Sequence, residues 1–582
     1  MPLPGYLVVA SVCCALLLVS GDVGVKWRPC EHCKRFVKGL NIIWNRDTTQ
    51  ECIAELVVTI CSRFQLTSHR VCALMTEQFK NELLYVIGEV IVQPWQICGI
   101  LLEDCGRPIN PLQADWSIRL PGNKPAVELT SQPSHPPVTL RVLQLTDIHA
   151  DPFYRLGTEA NCHEPICCRE GRNNVQKPAG RYATVAKNCD IPWWTVEDLF
   201  EKLASRRNFD VIYWTGDLIA HDGWNYRKNR TLLSLHRLTG LFLKYFPGIP
   251  VFPVVGNHEA VPVDSFAPHN LNLPNEFGTK WLYDELAELW SHWLPNSTIR
   301  DIKWRGCYVT KPFAGLRVIS LNTQYGYRTN FWLYINQTDP DGTLQWLSDQ
   351  LLDAEQSGDK VHILGHIPNG VGGLNGWADN YYNIINRFEG TVRAQLSGHE
   401  HYDTFHLFYE DKNSSARPTS IVYAGPSLTT KDAVQPAYRI YAVDGNYTNS
   451  TWTILDYDTY FLDVNSSNSA NKTVWKLACR AKQAYRLKSL LPRDWNQLIS
   501  LMDHNSTLFS RFLWNYKRSA VNGICDAECH QKHLCWLKTA TANGCRRLDR
   551  TKPRAITKTE AIFEISNLAS KCSINVFCEV LT

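Results

Sequence analysis

At 582 residues the chain has room for about three domains of ordinary size. Its 44% hydrophobic content and 20 tryptophans suit a packed core and exclude a disordered protein. A formal net charge of +4 gives no global basic field, so no nucleic-acid partner is expected.

Residues 1–21 read MPLPGYLVVASVCCALLLVSG, nearly all apolar from Tyr6 to Ser20. The run is shorter than the roughly 20 residues of a membrane-spanning helix, and small residues follow it, so a cleaved signal peptide is expected. Its start lacks the usual Lys or Arg. Cys13 and Cys14 lie in this run, and nineteen further cysteines read as disulfides of an oxidising compartment, the odd count leaving at least one thiol free or paired with another chain. Asn229, Asn296, Asn336, Asn413, Asn446, Asn449, Asn465, Asn471 and Asn505 each head an N-x-S/T sequon, which fits a glycoprotein of the secretory route.

Residues 26–108 carry Cys30, Cys33, Cys52, Cys61, Cys72, Cys98 and Cys105. Between them, apolar residues recur at helical spacing, as in Leu83, Leu84, Ile87, Val90 and Ile91. A disulfide-stapled helical module is the reading, with a zinc knuckle or redox pair at Cys30 and Cys33 as the alternative. Residues 109–137 form a Pro-rich linker, with Pro121, Pro125, Pro133, Pro136 and Pro137 favouring an extended spacer. Residues 138–460 alternate strand-like runs with helical patterns. Strands are predicted at 141–145, 211–214, 251–255, 318–321, 361–364 and 393–396, and helices at 196–203 and 343–354, giving an α/β fold. Residues 461–582 open on polar Asn/Ser sequence and continue with helical patterns. Cys525, Cys529, Cys535 and Cys545 look like local staples there, and this region by itself says nothing of chemistry.

Five strand-like runs end in a polar motif: Asp147-Ile148-His149, Gly216-Asp217, Gly256-Asn257-His258-Glu259, Gly365-His366, and Gly398-His399-Glu400-His401. Active sites of α/β sheets gather at the carboxyl ends of strands, so these runs can build one site from distant sequence. Asp147, His149, Asp217, Asn257, His366, His399 and His401 offer carboxylate, amide and imidazole donors without thiolate, a set that suits borderline divalent metals. Seven donors are too many for one tetrahedral ion and suit two if a carboxylate bridges. Glycine before four of the motifs lets the backbone turn where a Cβ would obstruct. Read as an extended segment, His399 and His401 share a face and Glu400 points away.

These motifs, in this order, resemble the calcineurin-like metallophosphoesterase family. Ala220 stands where purple acid phosphatases carry a tyrosine ligand, and His149 is present where they lack a histidine. The stretches Gly216–Asp222, Val255–Glu259, Asn336–Pro340 and Lys360–Pro368 are similar to the acid sphingomyelinases, a resemblance that covers nearly the whole chain. The first region resembles the saposin B-type fold, which the related acid sphingomyelinase-like phosphodiesterases lack. The resemblance implies a metallophosphoesterase β-sandwich core flanked by helices, an all-α saposin-like domain that interacts with lipid, and a helical C-terminal domain. It also implies the pairs Cys30–Cys105, Cys33–Cys98, Cys61–Cys72, Cys162–Cys167, Cys168–Cys189, Cys525–Cys529 and Cys535–Cys545. Cys52 is left over, Cys307, Cys479, Cys572 and Cys578 have no assigned partner, and a family disulfide between the regions of Gly326 and Val371–Gly372 has no cysteine at either end.

Two zinc ions are implied, one held by Asp147, His149, Asp217 and His401, the other by Asp217, Asn257, His366 and His399. A metal-bridged hydroxide would attack the phosphorus of sphingomyelin at acid pH, releasing ceramide and phosphocholine. His221 and His258 would be catalytic histidines, His258 protonating the ceramide oxygen with an ordinary pKa of roughly 6.5. Expected partners are sphingomyelin in membranes or lipoproteins and an anionic lipid surface, met by a monomer that is lysosomal, secreted (extracellular) or both. The alternatives are a phosphodiesterase for nucleotides or other soluble diesters, and a lipid-binding protein with an inert metallophosphoesterase domain.

Overall fold

Apolar runs buried on both faces build the centre of the molecule. The computed structural model describes residues 34, 47–91 and 114–545, apart from 123, 128–131, 134–135, 171–174, 519–524 and 543. The signal-peptide run, Cys30, Cys33, Cys98, Cys105, Cys572 and Cys578 lie outside the described residues. Two helices come first, α1 (Asp47–Arg63) and α2 (His69–Ile91), joined by Cys61–Cys72.

Two six-stranded sheets follow. One has the order β14-β13-β12-β1-β4-β5, from β1 (Thr139–Leu145), β4 (Val211–Trp214), β5 (Val251–Pro253), β12 (Ala437–Asp444), β13 (Ile454–Leu462) and β14 (Trp475–Arg480). The other runs β10-β11-β9-β8-β7-β6, from β6 (Tyr308–Phe313), β7 (Leu316–Leu321), β8 (Lys360–Gly365), β9 (Val392–Ser397), β10 (Thr404–Tyr409) and β11 (Pro418–Ala424). A short pair, β2 (Ala150–Asp151) and β3 (Ile191–Pro192), completes the strands. β1, β4 and β5 are parallel, as are β7, β8 and β9, so their carboxyl ends come out together. All four residues of β4 are buried, the pattern of a parallel strand covered on both faces.

The two sheets share one core, in which Val142, Leu143 and Leu145 of β1 lie with Ile363 and Leu364 of β8. Polar bonds also stitch them: Gln144 of β1 donates to the Ser397 carbonyl of β9 at 2.9 Å, and Tyr213 of β4 meets His362 of β8 at 3.0 Å. Between the strands, α3 (Trp193–Arg206) buries Val196, Leu199, Phe200 and Leu203, an i, i+3, i+4, i+7 stripe. The remaining helices are α4 (Lys228–Tyr245), α5 (Lys280–Trp290), α6 (Ile299–Arg305), α7 (Thr343–Gln356), α8 (Asn375–Arg387), α9 (Val464–Ala470), α10 (Ala481–Tyr485), α11 (Pro492–His504), α12 (Ser506–Tyr516) and α13 (Ala527–Leu537).

The six predicted strands and two predicted helices are present within one or two residues at most ends, α3 extending three beyond its prediction on each side. The region from 461 opens differently than expected: β13 runs to Leu462 and β14 adds an edge strand before the helices begin in earnest. Cys162–Cys167, Cys168–Cys189, Cys525–Cys529 and Cys535–Cys545 are all paired, and Cys307 and Cys479 are buried free thiols. Where the family disulfide is missing, backbone bonds hold the two segments: Arg328 N–H to the Gly372 carbonyl at 3.0 Å and Leu374 N–H to the Gly326 carbonyl at 2.8 Å.

α2 packs on the sandwich beside its parallel strand ends. Val71 and Met75 pack with Ala220 and Trp224, and Val86 with Ala267 and Trp332. Gln78 donates to the Tyr226 carbonyl at 2.9 Å, and the Ser265 hydroxyl donates to Glu82 at 2.6 Å. Burial pushes the Glu82 carboxyl from the ordinary 4.5 up to about 7, with Ser265 and Lys228 opposing.

Candidate metal centre

The loops after β1, β4, β5, β8 and β9 bring all seven candidate ligands together. Asp147, His149 and His401 form one group whose donor atoms lie within 4.8 Å of each other, and Asp217, His366 and His399 form another. Asn257 joins the second group: its Oδ1 is 2.9 Å from His366 Nε2 and 3.1 Å from His399 Nδ1. Asp217 Oδ2 sits between the groups, 3.0 Å from His366 Nε2 and 3.4 Å from His149 Nε2. That one oxygen faces both halves is the geometry a bridging carboxylate needs.

The backbone is bent to achieve this. Asp147, His149, Asp217, His399 and His401 all have left-handed φ, between 41° and 70°. Non-glycine residues hold such conformations only where their surroundings over-determine them, and they cluster at functional sites. His399 and His401 are therefore not an extended pair sharing a face, as expected from the sequence. Their rings diverge, His399 to Asn257 and His401 toward Asp147, 3.6 Å from its Oδ1. Glu400 binds His406 Nε2 at 2.6 Å, so it is no ligand. Gly216 takes a φ of +90°, while Gly256 is needed for space, since a Cβ there would lie 2.1 Å from Asp217 Oδ1.

Outer partners fix each ring. His149 Nδ1 donates to the Ile219 carbonyl at 2.6 Å, His366 Nδ1 to that of Thr215 at 2.8 Å, and His401 Nδ1 to Asp432 at 3.0 Å. Asn257 Nδ2 donates to Asp264 at 2.8 Å, which turns its Oδ1 to the imidazoles. Glu259 accepts the Leu218 N–H at 2.7 Å and the Asp217 N–H at 3.2 Å, bracing the loop that carries the bridging carboxylate. Such partners set the tautomer of a metal-binding imidazole and leave its other nitrogen free.

Charge in the pocket calls for cations. Burial works to lower His149 and His366, yet Asp147 and Asp217 raise both to about 9. His149 Nε2 is buried without a hydrogen-bond partner, facing the carboxylates. An orphaned imidazole nitrogen among carboxylate oxygens fits a divalent ion at that position.

His221 and His258 lie beside the first group, their ring centroids 3.8 and 4.8 Å from that of His149. His221 Nδ1 contacts Asp190 at 2.9 Å. The Tyr226 hydroxyl donates to the Ala220 carbonyl at 2.7 Å, so at 2.6 Å it accepts from His258 Nδ1–H. The ordinary histidine pKa expected for His258 is not met. Burial holds it well below 6.5, with His149, His366 and His399 adding to the effect against Asp217. Burial and the same kind of cationic neighbours depress His221 too. Sequence reading missed Asp190, Tyr226, Asp264 and Asp432 as supports. Glu259 stood inside a quoted motif, and Asp190 directly follows a paired cysteine, the two usable signals.

The chain matches the calcineurin-like phosphoesterase family over residues 140–403 and the acid sphingomyelin phosphodiesterase C-terminal region over 414–546. It is 36% identical to sphingomyelin phosphodiesterase 2 of Caenorhabditis elegans, over 88% of this chain and 86% of that one. It is equally 36% identical to the sphingomyelin phosphodiesterase of Homo sapiens, over 90% of this chain and 84% of the relative. Identity to the human acid sphingomyelinase-like phosphodiesterase 3b is 26%, over 68% of this chain and 86% of that protein. With its metallophosphoesterase sandwich, its strand-end ligand set and relatives that match along almost their full length, the chain belongs to the sphingomyelin phosphodiesterases, a family of phosphodiester hydrolases.

Proposed function

We propose that the chain hydrolyses sphingomyelin to ceramide and phosphocholine at acid pH, with two zinc ions held by Asp147, His149, Asp217, Asn257, His366, His399 and His401. The observation that carries this reading is the pair of donor groups meeting at Asp217 Oδ2, in a chain 36% identical to sphingomyelin phosphodiesterases over most of their length. Imidazole, carboxylate and amide donors suit zinc. When bound, the ions supply Lewis acidity at the phosphoryl oxygens and lower the pKa of water.

The protein's own groups do the rest. Asp217 also accepts the His258 N–H at 2.9 Å, which ties the histidine to the metal centre. With Nδ1 donating to Tyr226, His258 presents Nε2 to the departing ceramide oxygen, and its depressed pKa confines to acid pH the imidazolium form that can deliver a proton. Asp190 orients His221 against the same group. Phe64, Leu66 and Leu74 expose 41%, 49% and 40% of their surface on the described part of the helical module, supporting contact with a lipid surface. Glu82 supports acid working conditions, because docking of α2 is strongest while this carboxyl keeps its proton. All nine sequon asparagines are exposed, and with the disulfides they support a lysosomal or secreted glycoprotein.

The test is product analysis. Full-length protein incubated with sphingomyelin liposomes near pH 5 should release ceramide and phosphocholine, lose activity to a chelator and recover it with zinc. No release from liposomes alongside brisk turnover of nucleotide diesters would transfer the assignment to soluble substrates.

A further inference from the structure

The C-terminal region, which has no chemical motif of its own, meets the segment that carries His401 through Tyr516 and Arg518. Arg518 follows α12 and is fully buried at 0% exposure. Its Nη1 donates to the carbonyl of His401 at 2.8 Å, Nη2 to the Ser427 hydroxyl at 3.2 Å, and Nε to the Gln435 carbonyl. The same His401 carbonyl also receives the Ser427 hydroxyl at 3.2 Å and the Ser427 N–H at 3.4 Å. Next to it, the Asp403 N–H donates to the Tyr516 carbonyl at 3.2 Å, and Tyr402 stacks on Tyr516 with centroids 4.3 Å apart and planes 11° from parallel.

A buried guanidinium is costly, and it persists where its donors are used. Here three are used: one on the His401 carbonyl, one on Ser427, whose hydroxyl bonds that same carbonyl, and one on the Gln435 carbonyl. That histidine needs help, since its φ of +63° lies in the left-handed region that an L-residue adopts only at a cost. Arg518 bonds the His401 carbonyl, while the imidazole of the same residue reaches Asp147 and Asp432.

We propose that Arg518 is a positioning residue of the metal centre, holding the His401 backbone so that its imidazole completes the Asp147–His149–His401 half. This rests on the two-ion reading above. Removal of the guanidinium should weaken one half-site about 10- to 100-fold, the range for partners behind a metal ligand, and leave the Asp217–Asn257–His366–His399 half loaded.

The experiment is zinc content per chain of the folded, monodisperse full-length protein, after dialysis against a graded zinc buffer. Wild type should hold two ions, Arg518→Met one, and Arg518→Lys two with an affinity between the others. The double variant Arg518→Met/His401→Ala should bind no less than His401→Ala alone. An Arg518→Met protein with both ions at wild-type affinity overturns the proposal, as does a loss from both halves equally. If Arg518→Met does not fold, Arg518→Lys decides: unchanged affinity at both sites overturns the proposal, and weakening confined to one supports it. Wild-type protein that binds fewer than two ions would instead sink the two-ion reading itself.

Discussion

Residues 139–403 supply every candidate ligand and both candidate catalytic histidines, whereas the described helices before and after them contribute to the site through groups that hold those side chains. From the N-terminal side, Gln78 and Glu82 of α2 secure Tyr226, the partner of His258, and Ser265, which adjoins Asp264, the partner of Asn257. From the C-terminal side, Tyr516 and Arg518 secure the His401 segment. The chemistry is concentrated in short motifs, while the maintenance of its geometry is spread along the chain. α2 thus holds residues beside the candidate site in addition to any contact with lipid. Truncation of the module should then lower soluble turnover too.

Four variants break or sharpen this contrast. Asp217→Ala removes the oxygen between the two halves and should lower turnover on the order of 10⁴-fold, with loss of bound metal, as measured by kcat and zinc content. His258→Ala should cost about 10²- to 10³-fold on sphingomyelin. The loss should shrink on a p-nitrophenyl diester, whose leaving group needs no proton. An equal loss on both substrates would deny His258 the donor role.

Glu82→Gln tests the N-terminal support. The folded-state pKa of Glu82 is raised from 4.5 to about 7, so the folded form holds the proton more tightly than the unfolded one. Its contribution is full below about pH 4.5 and declines until about pH 7, for a loss of roughly 3 kcal/mol across that window. Thermal unfolding scans should show this decline in wild type and a flatter profile in Glu82→Gln. Parallel profiles would remove Glu82 from the account. Smallest is Phe64→Ser/Leu66→Ser, which should reduce turnover on liposomes roughly tenfold by removing exposed apolar surface, with soluble-diester turnover unchanged.

The ligand set was legible because each ligand directly follows an apolar strand, so local sequence names both the element and the residue it presents. Strands without a terminal motif were harder to read. TFHLFY at β10 is buried throughout and lacks alternation, and WKLACR at β14 is a short edge strand behind a polar stretch. The conformation of the HxH segment was also beyond the sequence. Two residues apart in a strand share a face, but left-handed turns at His399 and His401 send the rings to different halves. The His399 N–H bonds Asp147 and the His401 carbonyl bonds Ser427 and Arg518, contacts that no local pattern encodes. For the same reason Asp190, Asp264 and Asp432 escaped notice: each acts through hydrogen bonds to a residue that the fold brings near.

Anomalous diffraction at the zinc edge, from crystals of the wild-type protein grown with zinc, decides whether the pocket holds two ions. The account predicts two peaks, one among Asp147, His149, Asp217 and His401 and one among Asp217, Asn257, His366 and His399, with Asp217 reaching both. His149, His221 and His258 also present donors within 4.8 Å of one another, and a peak there, or a single peak anywhere in the pocket, would contradict it.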